Sequence, residues 1–68
     1  PREWRAMAKV LTALGDEHRQ RIMLTFEKGE RLTVGQIAEV STLSRPAVSH
    51  HLKILRAAGV LEAEKVGK

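Results

Sequence analysis

Arg45, Ser49, Lys53 and Arg56 follow one another at intervals of four, four and three residues. On a helix turning about 100° per residue, these four side chains fall within an arc of about 80°. Pro46, His50 and Ala57 widen that face to about 140°. Ala47, Val48, His51, Leu52, Ile54, Leu55 and Ala58 occupy the opposite, mainly apolar arc. The chemistry open to such a face is recognition of a polyanion. The Arg45 guanidinium can donate two hydrogen bonds to a guanine edge, and the Ser49 hydroxyl can contact a base or a phosphate. Lys53 and Arg56 lie further from the start of the helix and are better placed to neutralise phosphates. His50, on the same face, can reach either. The major groove of DNA admits one helix of this kind.

No comparable arrangement emerges for catalysis. Ser49 and His50 are adjacent, so their side chains diverge by about 100° and form no dyad. The sequence contains no triad, phosphate loop or metal motif, and the expectation is a protein that is not an enzyme and needs no cofactor. His51 lies in the apolar arc and reads as a hydrogen-bonded, partly buried structural residue. Joining it with His50 and His18 in a metal site would need a coincidence of geometry across two helices, so no metal ligands are expected. The chain has no cysteine, which removes disulfides, thiolate ligands and cysteine nucleophiles. No apolar run approaches the ~18 residues of a membrane span, and no signal peptide is visible at Pro1. The reading is therefore a cytoplasmic protein without a membrane partner.

Twelve lysines and arginines against eight carboxylates give a net charge of +4. Where the charge sits matters more than its total. No acidic residue lies between Val40 and Leu61, whereas Arg45, Lys53 and Arg56 all do. A basic stretch is commonly just a solvated face. Its confinement to one side of one amphipathic helix favours nucleic acid.

The elements that must hold this face follow from periodicity and capping. Pro1 to Leu14 places Trp4, Met7, Ala8, Leu11 and Leu14 at helical spacing, ending at Gly15. Asp16 is a suitable N-cap for a second helix from Glu17 to about Lys28, with Ile22, Met23 and Phe26 inward and Gly29 as its stop. Arg19 falls among these apolar residues, so it must snorkel or pair with Asp16. Thr33 and Gln36 match a capping box for a short third helix whose inner face is Val34, Ile37 and Ala38. Ser41-Thr42-Leu43 is a tight connection. Ser44 then caps a fourth helix reaching about Ala58, with Pro46 in the first turn, where its missing N–H is harmless, and Gly59 as terminator. Val60 to Val66 reads as a strand and Gly67-Lys68 as the start of a turn. That strand needs a partner, either Arg31-Leu32 or a hairpin strand beyond the sequence given.

A short helix, a turn of about three residues and a second helix with a polar leading face make a helix-turn-helix. Ala38 is small where the two helices cross, and Val48 and Leu52 can pack back against Ile37. The competing reading is an αα-hairpin inside a small bundle. The whole is one domain of 68 residues. A chain of that size buries only about 60% of its unfolded surface, so support from a partner subunit is expected.

Residues 14–22 (LGDEHRQRI), 32–38 (LTVGQIA) and above all 44–61 (SRPAVSHHLKILRAAGVL) resemble the ArsR/SmtB family of bacterial winged helix-turn-helix repressors. The resemblance implies a mainly α fold, four helices plus the first strand of a β-hairpin wing, spanning 1–68. It implies that the rest of the wing and a C-terminal helix are not in this sequence. It also implies a homodimeric regulator that inserts the Ser44–Ala58 helix into an inverted-repeat operator of double-stranded DNA. Carried over by position, the recognition helix begins at Arg45 and its DNA-facing positions correspond to Arg45, Pro46, Ser49 and His50; its cap Ser44 and, from the helical face, Lys53 and Arg56 complete the DNA-binding set. The wing opens at Leu61, with Lys65 and Lys68 near its tip, and Glu62 and Glu64 weaken phosphate attraction there. The first helix joins the dimer interface, giving Trp4, Met7 and Leu11 a role there as an alternative to intramolecular core. Thr33 and Gly35 stand where metal-sensing members carry cysteines, so no thiolate site comes with the resemblance. Fold alone leaves open a winged-helix module that binds an acidic protein surface instead of DNA.

Overall fold

A computed structural model of the chain describes residues 2–26, 31–62 and 65–67. It contains helices α1 (Arg2–Leu14), α2 (Glu17–Thr25), α3 (Val34–Val40) and α4 (Arg45–Ala57), with strands β1 (Leu32–Thr33) and β2 (Val66–Gly67). Among the described residues no helix is long and apolar enough to cross a membrane.

The capping signals explain most boundaries. Thr33 and Gln36 form the full capping box: the Gln36 amide donates to Thr33 Oγ1 at 3.0 Å, and the Thr33 amide donates to Gln36 Oε1 at 2.9 Å. Ser44 Oγ accepts from the Ala47 amide at 3.3 Å, and Pro46 occupies the first turn of α4. At the far end, Gly59 has φ +77° and donates to the Arg56 carbonyl, while Val60 donates to that of Leu55. This is a Schellman closure, which a residue with a Cβ adopts only at a cost.

Asp16 departs from expectation. Its backbone is extended as an N-cap requires, yet its side chain makes no capping hydrogen bond. The carboxylate turns instead toward Arg19 and His51 (Oδ2 at 3.8 and 3.6 Å). The second helix is also shorter than expected: it ends at Thr25, whose Oγ1 donates back to the Arg21 carbonyl, and Phe26 is already extended. The expected last residues of that helix, Glu27 and Lys28, and its stop Gly29 lie outside the described residues.

The strand expected over Val60–Val66 is confined to Val66–Gly67. It pairs in parallel with β1, Leu32 opposite Val66 and Thr33 opposite Gly67. Of the two partners the sequence left open, the segment preceding the third helix takes the role. Parallel pairing needs a long crossover, which α3, the turn and α4 provide. Val60–Glu62 do not form a strand: the Val60 and Leu61 amides both donate to the Leu55 carbonyl, at 3.0 and 3.3 Å, and Leu61, 5% exposed, enters the core.

That core consists of Ala13, Ile22, Ile37, Val48, Leu52, Leu55 and Leu61, with Met23, Phe26, Val34 and Ala38 packed around it. Ile37 from α3 and Val48, Leu52 and Leu55 from α4 are all 1% exposed or less, so the crossing of these two helices is its centre. Each such side chain contributes about 1.5–3 kcal/mol on burial. The molecule is elongated, 39 × 22 × 18 Å, and Glu3–Met7 at the start of α1 are all exposed. Trp4, Met7 and Leu11 remain 67%, 60% and 64% exposed, which removes the intramolecular-core reading of that stripe. Ala13 is the α1 residue that enters the core.

Candidate nucleic-acid interface

The working face of α4 is built by its own buried side. Val48, Leu52 and Leu55 are locked into the core, and rotation about the helix axis would expose them. Their burial leaves Arg45, Pro46, Ser49, His50, Lys53 and Arg56 all exposed along one side. Ser44 is exposed as well; its oxygen accepts the capping hydrogen bond, and its hydroxyl hydrogen can still be donated to a phosphate. The nearest carboxylates in sequence, Glu39 and Glu62, are exposed on other elements. The result is a row of donors with no acceptor carboxylate on its helix, which is suited to the edge and walls of a nucleic-acid groove.

Not every residue named from the sequence joins this row. Lys65 is half-buried just before β2, and Lys68 lies outside the described residues, as does Glu64. Trp4, Met7 and Leu11 form a separate apolar stripe on α1. The structure adds two cations. Arg5 and Lys9, one turn apart on α1, line an open groove of about 570 Å3 together with Arg56, and Met7, Val10 and Ala57 form part of its apolar wall. Their i,i+4 spacing was visible in the sequence, but only the docking of α1 beside the end of α4 brings them to the same basic region.

Behind the face lies a polar knot that fixes α4 to the first two helices. Arg19, its side chain 14% exposed, donates from Nε to the Ala13 carbonyl at 2.6 Å and from Nη2 to that of Thr12 at 3.3 Å. Gln20 Nε2 donates to the Leu14 carbonyl at 2.6 Å. Two consecutive α2 side chains thus cap the last carbonyls of α1, where a cation also complements the helix dipole. Arg19 Nη1 then meets His51 Nδ1 on α4. A guanidinium has only donors, so this contact is a hydrogen bond in the form of the ring whose Nδ1 carries no hydrogen and accepts. Burial pushes the His51 pKa below its ordinary value of 6.5; Asp16 opposes that shift, and Arg19, His18 and His50 add to it. Asp16 Oδ2 is shielded from solvent and makes no hydrogen bond. The His51 ring centroid lies 5.8 Å from those of both His18 and His50. Among the described residues no group of three or more histidines, cysteines or carboxylates is arranged to hold a metal ion.

Comparison with known proteins places these features in context. A family model described as "Bacterial regulatory protein, arsR family" matches residues 16–63, from Asp16 through all of α4. The chain is 40% identical over 62 residues to the transcriptional repressor SdpR of Bacillus subtilis, covering 91% of the chain and 68% of that protein. It is 38% identical over 63 residues to the HTH-type transcriptional repressor SmtB of Mycobacterium tuberculosis, covering 93% of the chain and 46% of the relative. A cadmium resistance transcriptional regulatory protein CadC homolog of Staphylococcus aureus is 34% identical over 62 residues, covering 91% and 51% respectively. The chain thus spans between about half and two thirds of the length of these relatives. No solved structure gives a significant match.

Proposed function

We propose, since this chain belongs to the arsR family of bacterial regulatory proteins, that it is the DNA-reading domain of a homodimeric transcriptional repressor acting in the cytoplasm. The observation that carries this reading is the exposed, carboxylate-free row on α4, set by the burial of Val48, Leu52 and Leu55 directly behind it. The α4 helix enters the major groove with its N-terminal end leading. Arg45, Ser49 and His50 face base edges, and Pro46 contributes shape without a donor. Ser44, Lys53 and Arg56 bind phosphates, and Lys65 and Lys68 add positive charge near the flanking backbone.

Two copies meet through the α1 stripe of Trp4, Met7 and Leu11, whose exposure in one protomer supports this use. Twofold symmetry then matches an inverted repeat with half-site centres about 10 bp apart, or a multiple of that. Transcription regulation rather than catalysis is the activity of such a domain, and the named relatives are regulators or repressors.

Selection of bound duplexes from a random library tests the reading. The expected result is a palindromic consensus whose affinity falls steeply with salt. Absence of binding to any duplex at low salt and tens of micromolar protein would instead favour a protein-binding module.

A further inference from the structure

We propose that Gly35 of α3 is a specificity-determining position, because its missing side chain gives the Arg45 guanidinium a seat on α3 from which it approaches a base. The inference rests on the reading of α4 as the DNA-facing helix and adds a residue outside that helix.

Gly35 occupies the second position of α3, where glycine brings more backbone freedom to be lost than alanine does. Backbone geometry does not demand it, since among the described residues only Gly59 has a positive φ. The space above it is occupied by a single side chain. A Cβ at position 35 would lie 3.0 Å from Arg45 Nη2, 3.4 Å from Cζ and 3.8 Å from Nε. The three nearest atoms all belong to one guanidinium. Arg45 itself is exposed, so its guanidinium lies over the space that a side chain at position 35 would fill while much of the chain stays in solvent.

This contact matters because of what guanine recognition asks of arginine. Two parallel hydrogen bonds require the planar fork at a defined height and tilt, and a long side chain loses rotamer freedom when it is held there. A seat on α3 confines Arg45 before DNA arrives and lowers that ordering cost. The capping box at Thr33 and Gln36 fixes the first turn of α3, so the seat itself is held firmly. A methyl at position 35 stands too close to Nη2 but meets only the end of a flexible side chain, which moves aside. Gly35→Ala therefore leaves the fold intact and unseats Arg45.

The experiment is a double-mutant cycle on the chain, reading affinity for the consensus duplex selected from the random library and for random duplex of equal length. Gly35→Ala is expected to weaken consensus binding about tenfold and to relax selectivity at the base pair that Arg45→Ala also relaxes. Random-duplex affinity stays within about twofold, and thermal stability holds or rises. In an Arg45→Ala background the same substitution has no further effect. Unchanged consensus affinity in Gly35→Ala overturns the proposal, as does a loss that persists undiminished without Arg45, or a fall in stability. Failure of the DNA-reading premise appears separately, in the unsubstituted chain, as no consensus at all, and the proposal then falls with it.

Discussion

Arg19 Nη1 lies 3.3 Å from His51 Nδ1, joining the second helix to the middle of the fourth, while the same guanidinium caps the Ala13 carbonyl at 2.6 Å. One side chain therefore touches α1 and α4 at once. The exposed stripe that we assign to dimer formation is on α1, and the row assigned to DNA is on α4. Their relative angle, which sets the spacing between the two reading helices of a dimer, passes through Arg19.

Removing that side chain is expected to be costly. Arg19→Ala uncovers the Thr12 and Ala13 carbonyls and leaves the shielded Asp16 Oδ2 without its nearby guanidinium. Hydrogen bonds involving a charged partner contribute about 1.5–3 kcal/mol, so a loss of about 2 kcal/mol is anticipated. For a domain of this size that corresponds to a drop in Tm of roughly 10 °C. Arg19→Lys should recover little of it, because a single ammonium cannot match the spread of the guanidinium donors. Urea or thermal melts followed by circular dichroism test the point, and a loss below about 0.5 kcal/mol would remove Arg19 from this role.

The pH dependence has a definite sign. The folded state holds His51 neutral below its ordinary pKa of 6.5, chiefly through burial, whereas the unfolded chain takes up the proton near that value. As pH falls below about 6.5, the unfolded state binds more protons and is favoured. His51 therefore adds stability above that pH, and the contribution disappears as pH drops to the lowered folded-state value. A His51→Gln variant keeps an acceptor for Arg19 and lacks this titration. Its stability deficit relative to the unsubstituted chain should shrink between about pH 8 and pH 5. A deficit that grows on acidification would mean that the ring is protonated in the folded state. Nuclear magnetic resonance titration of the His51 ring gives the same sign independently.

The sequence carried the elements that local chemistry specifies. Thr33 and Gln36 at N-cap and N3, Ser44 before Pro46, and Gly59 after the last apolar turn each satisfy orphan backbone groups nearby, so they could be read without knowing the fold. The row from Arg45 to Arg56 was legible for the same reason, since helical periodicity alone separates it from Val48, Leu52 and Leu55. Tertiary relations were harder. Asp16 has the right type and backbone for a cap, but its Oδ2 is shielded beside the Arg19 guanidinium, which the docking of α4 through His51, 35 positions away, holds in place. The parallel pairing of Val66 with Leu32 depends on how α3 and α4 fold back, which two-residue strands do not announce. Trp4, Met7 and Leu11 show an apolar stripe in the sequence, yet periodicity cannot say whether a stripe faces its own core or another chain. The closeness of the Arg45 guanidinium to Gly35 left no local signal at all.

Arg45 and Lys53 are both exposed on α4, but they are expected to fail differently when truncated. Arg45→Ala should relax preference at one base position by roughly 1–3 kcal/mol, with smaller effect on random duplex. Lys53→Ala should weaken all duplexes alike and reduce the slope of log affinity against log salt by about one. Fluorescence anisotropy at several salt concentrations separates the two. Equal losses on consensus and random DNA for Arg45→Ala would reassign it to phosphate contact.

The α1 stripe gives the sharpest test of assembly. Leu11 is 64% exposed in the protomer, so Leu11→Glu removes little buried area from the intramolecular core and should leave the protomer melt within about 0.5 kcal/mol. In a dimer through this face, the same carboxylate would enter an apolar contact beside its symmetry mate's, with desolvation and like-charge repulsion acting together. Sedimentation equilibrium should therefore show the unsubstituted chain self-associating and Leu11→Glu monomeric at the same concentration. Binding to a full inverted repeat should fall toward that of a half-site, since two reading helices no longer arrive together. A variant that remains dimeric would place the twofold interface elsewhere and leave Trp4, Met7 and Leu11 to a different partner.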